Sequence, residues 1–207
     1  MPRTTSVILG CIAMPACLIL GCGDPQQLKV QIGTELAAKQ NISIAVLPFE
    51  RGEPGADHNE TWWSMTSVKD AGSLVSDMFT TELLRVPGFR LVERSQINRV
   101  LQELDLSLTD LISKKSAQQI GQLLGVEAVI LGSVSDYRQS RDWTGGSSSV
   151  FSYSMRMVDV LTGTVLVSAS ISDFSGGYDV NAKCQHSVQG VVDEIIKKRA
   201  GKSPSHP

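Results

Sequence analysis

The sequence predicts a three-layer α/β/α domain built on a mixed β-sheet, and three observations predict it. Ile42–Leu47 and Val126–Val134 are apolar runs without regular alternation, as expected of central strands covered on both faces. Between them stand stretches with apolar residues at helical spacing, which supply the covering layers. After them, Phe151, Tyr153, Met155 and Met157 alternate with Ser152, Ser154 and Arg156. That is a half-buried strand, and beside the two wholly apolar ones it makes the sheet mixed.

In chain order, Asp24 to Gln40 carries no strong pattern. Leu28–Val30 and Glu35–Ala38 suffice for a turn or two of helix, and a tether fits equally well. The strand from Ile42 stops at Pro48, and a polar loop follows from Glu50 to Asp70, holding Pro54 and the pair Trp62–Trp63. Ala71–Val86 is a helix with Val75, Phe79, Leu83 and Val86 on one face, widened by Leu74 and Met78. Pro87–Gly88 ends it, and Phe89–Val92 is a short strand. Ser95 is the expected N-cap of a second helix bearing Ile97, Val100, Leu101 and Leu104. A third helix starts near Ser113, with Ala117, Ile120 and Leu124 inward and Gly125 at C′, where glycine takes φ > 0 at least cost.

Arg138 to Ser149 is polar, contains Gly145–Gly146, and predicts a flexible loop. Asp159, Thr162 and Gly163 supply turn chemistry before Val165–Val167, which predicts a β-hairpin. Gly176–Gly177 marks another loop. The last helix is expected from about Gln185 to Arg199, with Val188, Val192 and Ile195 on one stripe. Lys197, Lys198 and Arg199 suit the negative end of its dipole. Gly201–Pro207 should fray.

The first residues predict the location. Arg3 opens a segment whose apolar run, Val7–Leu20, ends in Leu18-Ile19-Leu20-Gly21-Cys22. The run is shorter than the roughly 20 residues a spanning helix needs, so it reads as a cleaved export signal. The ending resembles the lipobox of bacterial lipoproteins, which makes Cys22 the acylated N-terminus of the mature chain. An ordinary signal peptide with an incidental cysteine is the plainer alternative. Gly23, instead of an aspartate, favours the periplasmic face of an outer membrane in a Gram-negative cell. The expected organisation is a lipoprotein signal peptide (1–21), a lipidated tether (22–40), the α/β domain (41–199) and a disordered tail (200–207).

Of the 4 cysteines, Cys11 and Cys17 leave with the signal and Cys22 carries lipid, so Cys184 stands alone and no intramolecular disulfide is expected. A net charge of −2 gives no nucleic-acid surface. The 3 histidines, His58, His186 and His206, form no pair at metal-ligand spacing. Cys184 and His186, at i and i+2, would diverge on a helix. Neither a phosphate-binding glycine loop nor a strained G-x-S-x-G turn is present, and Asp57-His58 reads as solvated loop. The expectation is a non-enzymatic protein without cofactor, metal or small-molecule substrate. Trp62 and Trp63 either form a partner contact, since tryptophan is favoured at binding hot spots, or fold back over the sheet edge. Asn41-Ile42-Ser43 and Asn59-Glu60-Thr61 match the glycosylation sequon, which a lipobox-bearing bacterial chain does not use.

Four blocks resemble the CsgG/HfaB family. They are Ile44-Ala45-Val46-Leu47-Pro48-Phe49, Phe89–Gln96, Ile120–Val134 and Asp159–Leu166, in family order and behind a lipobox. The resemblance implies a periplasmic α/β domain on an outer-membrane lipoprotein. The family's best-known member forms a ring-shaped pore for curli subunits from two strand insertions per subunit. The corresponding segments here are Ser135–Ser149 and Ser172–Lys183. Each falls short of the roughly 20 residues that a hairpin of two spanning strands requires. The expectation is a minimal member without pore-forming hairpins, which docks on itself or on other envelope proteins during assembly or secretion of a surface structure. LpoB-like lipoproteins, which activate a peptidoglycan synthase, resemble the same minimal domain and give the alternative. Those reach through the cell wall on long linkers, whereas residues 22–40 as a flexible chain span only about 25 Å root-mean-square.

Overall fold

The computed structural model describes residues 28–52, 66–67, 70–104, 114–141, 146–176 and 179–201. The elements are β1 (Lys29–Ile32), α1 (Thr34–Ala38), β2 (Ile42–Val46), β3 (Glu50–Arg51), β4 (Thr66–Ser67), α2 (Ala71–Leu83), β5 (Phe89–Leu91) and α3 (Arg94–Glu103). They continue with α4 (Lys114–Leu124), β6 (Ala128–Arg141), β7 (Ser147–Asp159), β8 (Val165–Gly176) and α5 (Val180–Ala200). The sheet order is β1-β8-β7-β6-β2-β5. β2 runs parallel to β5 and β6, while β6, β7, β8 and β1 pair antiparallel, so the sheet is mixed as expected. Where β2 leaves the edge of β6, the two-residue strands β3 and β4 take its place.

Two apolar cores make the three layers. Ile42, Ile44 and Val46 point toward α1, α2 and α5, joining Val75, Phe79, Leu83, Val188, Val192 and Ile195. Ala45 and Leu47 point the other way, joining Ile97, Ala117, Ile120, Val129 and Leu131 under α3 and α4. Covering both faces of the strand is what permits its uninterrupted apolar run. In the first core, Phe79 lies 5.6 Å from Phe49 and 5.6 Å edge-on from Tyr153. The expected inward residues of all the helices are those that pack, and Gly125 takes φ 66° at its C′ position.

The turn between β7 and β8 is built by Asp159. Its carboxylate accepts from the Thr162 N–H at 2.8 Å and from Lys39 Nζ at 2.8 Å, and Gly163 takes φ 67°. Burial raises the Asp159 pKa, but these donors outweigh it and hold the carboxyl below its ordinary value.

Four expectations give way. Residues 28–40, half-expected as tether, hold β1 and α1. Val30 and Ile32 pack against the first core and Leu36 is fully buried, so the domain begins before Asn41. Ser95 does not cap α3: the helix starts at Arg94 after extended Glu93, and Ser95 Oγ donates to Glu93 Oε2 at 2.6 Å. α5 begins at Val180, five residues before expectation, because Asp179 accepts from the Asn181 N–H at 2.9 Å and caps it. Most of Ser135–Ser149 and of Ser172–Lys183 is strand or helix instead of loop. A register shift between Val134 and Asp136 explains the first of these misreadings. The extra residue, Ser135, flips the alternation, so the apolar phase of β6 does not run on past Val134.

Gly72 sits in the first turn of α2, where an added Cβ would lie 2.1 Å from the Phe49 carbonyl oxygen. Glycine to alanine inside a helix normally gains up to about 1 kcal/mol. Here Gly72→Ala is expected to reverse that sign and lower the urea midpoint of unfolding.

Candidate functional site

The part of the domain left for function is the distal half of the β6–β7–β8 meander, beyond the register shift. Its inner face packs on the N-terminal half of α5 through Tyr137, Phe151, Tyr153 and Ile171. A buried polar seam runs through this contact. Tyr137 Oη donates to Asn181 Oδ1 at 2.6 Å, Tyr153 Oη and Ser187 Oγ are 2.8 Å apart, and Ser187 Oγ donates to the Cys184 carbonyl at 3.0 Å. Lys183 Nζ donates to Ser149 Oγ at 2.9 Å. Cys184 is free and fully buried, and burial pushes its thiol up to about 12. Burial likewise drives both tyrosines upward. At neutral pH these groups stay protonated and out of solvent reach, so the seam stabilises the packing and offers no nucleophile.

Among the described residues, no helix covers the outer face of the same strands. α3 and α4 cover the sheet only as far as Val129, Leu131 and Val158. Beyond them lie Ser152, Ser154, Ser170 and Ser172, half-buried to exposed. Ser133 and Ser154 hydroxyls are 3.0 Å apart, those of Ser140 and Ser148 2.6 Å, and Arg138 pairs with Asp136 at 2.7 Å. Phe174, on β8, is 77% exposed. This face thus presents small hydroxyls with one large aromatic at its margin.

The candidate residues divide sharply. Cys22, Trp62 and Trp63 lie outside the described residues, as do Asp57, His58 and His206. The segment that carries both tryptophans leaves from Gly52, whose N–H donates to the Val134 carbonyl at 2.9 Å. It returns at Thr66, opposite Gln139 on the same strand. Cys184 and His186 diverge on α5, one buried and the other exposed. Among the described residues no group of three or more His, Cys, Asp or Glu is placed to hold a metal ion. No helix among them is long and apolar enough to cross a membrane. The open serine face itself was legible only as alternating serines, because its exposure depends on where α3 and α4 stop.

Residues 26–200 match the family described as curli production assembly/transport component CsgG. The chain belongs to the CsgG family. Its fold is similar to that of PelC from Paraburkholderia phytofirmans, solved as a dodecamer, with TM-score 0.55 and 14% identity over 82% of this chain and 96% of that one. It is also similar to lipoprotein GNA1162 from Neisseria meningitidis, with TM-score 0.50 and 22% identity over 75% of this chain and 99% of that one. The C-terminal domain of LpoB from Escherichia coli superposes more loosely, with TM-score 0.42 and 18% identity over 67% and 93% of the two chains, and does not bear on role. No curated protein matches the sequence. At these identities the likeness to solved structures is one of fold.

In this CsgG-family domain a polar clasp ties α5 to α2. Glu82, 7% exposed, accepts from Arg85 at 2.8 Å, from Gln185 Nε2 at 2.7 Å and from Gln189 Nε2 at 3.1 Å. The bond from Arg85 is the main reason its carboxyl stays below the ordinary value of 4.5, against the upward push of burial. A lowered folded-state pKa contributes stability that is complete above 4.5 and disappears as pH falls through the folded value. Glu82→Gln is therefore expected to cost about 1 kcal/mol at neutral pH, discounted for the half-exposed Arg85. In urea unfolding across pH, the gap between the two proteins should close on acidification.

Proposed function

We propose that this protein is a lipid-anchored envelope protein that works by protein–protein contact in assembling or secreting a surface structure, and neither conducts nor catalyses. One observation carries the reading. At the two positions where the family resemblance puts pore-forming insertions, β6 joins β7 through residues 142–146 and β8 joins α5 through 177–179. The flanking strands β6, β7 and β8 are all committed to the sheet. Their inner face is covered by α5, and their outer face carries serines with Arg138 and Asp136. A lipid-facing strand needs an apolar face, and a midplane arginine costs about 2–4 kcal/mol. Short connections and polar outer faces both support a domain without membrane-spanning hairpins.

Several features support docking as the working mode. The serine face of the distal strands is left uncovered by α3 and α4, and the similar PelC is a dodecamer. Self-association is the first mode of assembly to expect. Trp62 and Trp63 are proposed as contact residues on their chemistry, since tryptophan is favoured at binding hot spots. Anchoring at Cys22 puts the domain at the periplasmic face of the outer membrane. Because β1 starts at Lys29, only residues 22–28 remain as tether, about 25 Å even when fully extended. That reach is too short for a regulator working across the cell wall, which weighs against the LpoB-like reading.

Cys22→Ala should move the protein out of the membrane fraction on cell fractionation; retention in that fraction would place the anchor elsewhere. Purified lipidated protein in a planar bilayer should bind without stable unitary currents. Large steady conductance steps from the full-length protein alone would overturn the non-conducting reading.

A further inference from the structure

We infer that the outer edge of β1 accepts an extended, acidic strand from a partner protein, which adds to the sheet in the cleft beneath the C-terminal end of α5. β1 is the terminal strand of the sheet order. The Gly33 N–H donates to the Leu166 carbonyl at 2.8 Å, and the pairing continues as Ile32↔Val167, Gln31↔Ser168, Val30↔Ala169 and Lys29↔Ser170. In an antiparallel ladder, hydrogen-bonded and non-bonded pairs alternate. Gln31 and Lys29 therefore share the bonding phase of Gly33, and the N–H and C=O groups of Val30 and Ile32 turn outward. Among the described residues no other backbone group meets them.

The space beside this edge is shaped for a chain. A cleft of about 660 Å³ is lined by Val30, Ile32, Thr34 and Ala37 along the strand and by Glu194, Lys197 and Lys198 from α5. An added strand finds main-chain partners at Val30 and Ile32 and apolar contact for alternate side chains. That is how strand addition divides affinity from specificity. Lysine and short length are common protections of an edge strand. Here the overhang of α5 encloses the strand on one side and selects what can enter.

Charge decides the occupant. Lys197 and Lys198 line the cleft and are exposed, against Glu194 as the one acidic lining residue, which lies 3.5 Å from Lys197. The neighbouring Lys39 and Arg199 are engaged elsewhere, with Asp159 and with the carbonyls of Leu36, Gln40 and Pro87. The rim therefore favours carboxylates. A second copy is the poorer fit, because β1 brings a lysine and no carboxylate to the rim lysines Lys197 and Lys198. The other terminal strand, β5, presents exposed Arg90, with the Arg199 guanidinium 4.8 Å over Phe89.

The test uses the full-length protein in detergent and a capped, labelled peptide of alternating glutamate and valine. Anisotropy should report binding that weakens with salt, and hydrogen exchange of the Val30 and Ile32 amides should slow. The double variant Lys197→Glu/Lys198→Glu, on an exposed helix face, should keep its circular dichroism spectrum and bind at least about tenfold more weakly. A peptide with proline at its central valine should not bind. The inference is overturned by no binding, by equal binding of a lysine–valine peptide, or by unchanged affinity in the double variant. It is also overturned if the protein alone protects these amides in a concentration-dependent way, which would assign the edge to self-association.

Discussion

Everything in the sheet is registered against β6. On one side it pairs parallel with β2, and on the other it pairs antiparallel with β7 along nearly its whole length. Its proximal half must satisfy two cores at once, and Ala128 and Ile130 face one while Val129 and Leu131 face the other. Its distal half has only one core to satisfy. The register shift at Val134–Asp136 reconciles the two halves, because it keeps Tyr137 on the side of α5 and Arg138 on the open side. In simple alternation, Asp136 and Arg138 would share the face of Val134, and two charges would enter the core at a cost of several kcal/mol each. Gly132 serves the same strand: a Cβ there would lie 2.4 Å from the Ser154 carbonyl and 2.6 Å from the Phe49 ring.

From that arrangement follows the division of labour between the faces. The inner face is held by aromatic packing together with polar contacts that are each satisfied: the tyrosine seam along α5 and the Glu82 clasp between α2 and α5. Satisfied polar groups specify how α5 seats, since a shift by one residue would leave buried donors without acceptors. The Arg199 guanidinium closes the other end of α5 on the carbonyls of Leu36, Gln40 and Pro87. The helix is thus fixed at both ends, and the outer face of the distal strands is left to meet other molecules.

The distal ends of β6, β7 and β8 are where chain can be added without disturbing either core. In this chain β6 ends at Arg141 and β7 begins at Ser147, while β8 ends at Gly176 and α5 begins at Val180. The chemistry left on show is hydroxyl, backbone edge and lysine, which are groups for recognising proteins.

The order of the longer strands and helices from β2 onward, the two double-covered central strands, the inward faces of the helices and the Asp159–Gly163 turn are legible in the sequence; β1, α1, β3 and β4 are not. Each is a local rule: apolar periodicity reports burial on one or two sides, and aspartate, threonine and glycine report a turn. The absence of catalytic chemistry is an expectation of the same kind, drawn from missing motifs. What the sequence does not show is decided at longer range. Lys29–Ile32 is too short to declare itself a strand, and it becomes one because β8 offers a partner. Arg138–Arg141 and Ser147–Val150 look like loop because only one of their faces is covered, and their polar residues are those of an open sheet. Where α3 and α4 end, and hence which serines face solvent, no periodicity records. Those features depend on which distant segments meet, and only tertiary packing sets that.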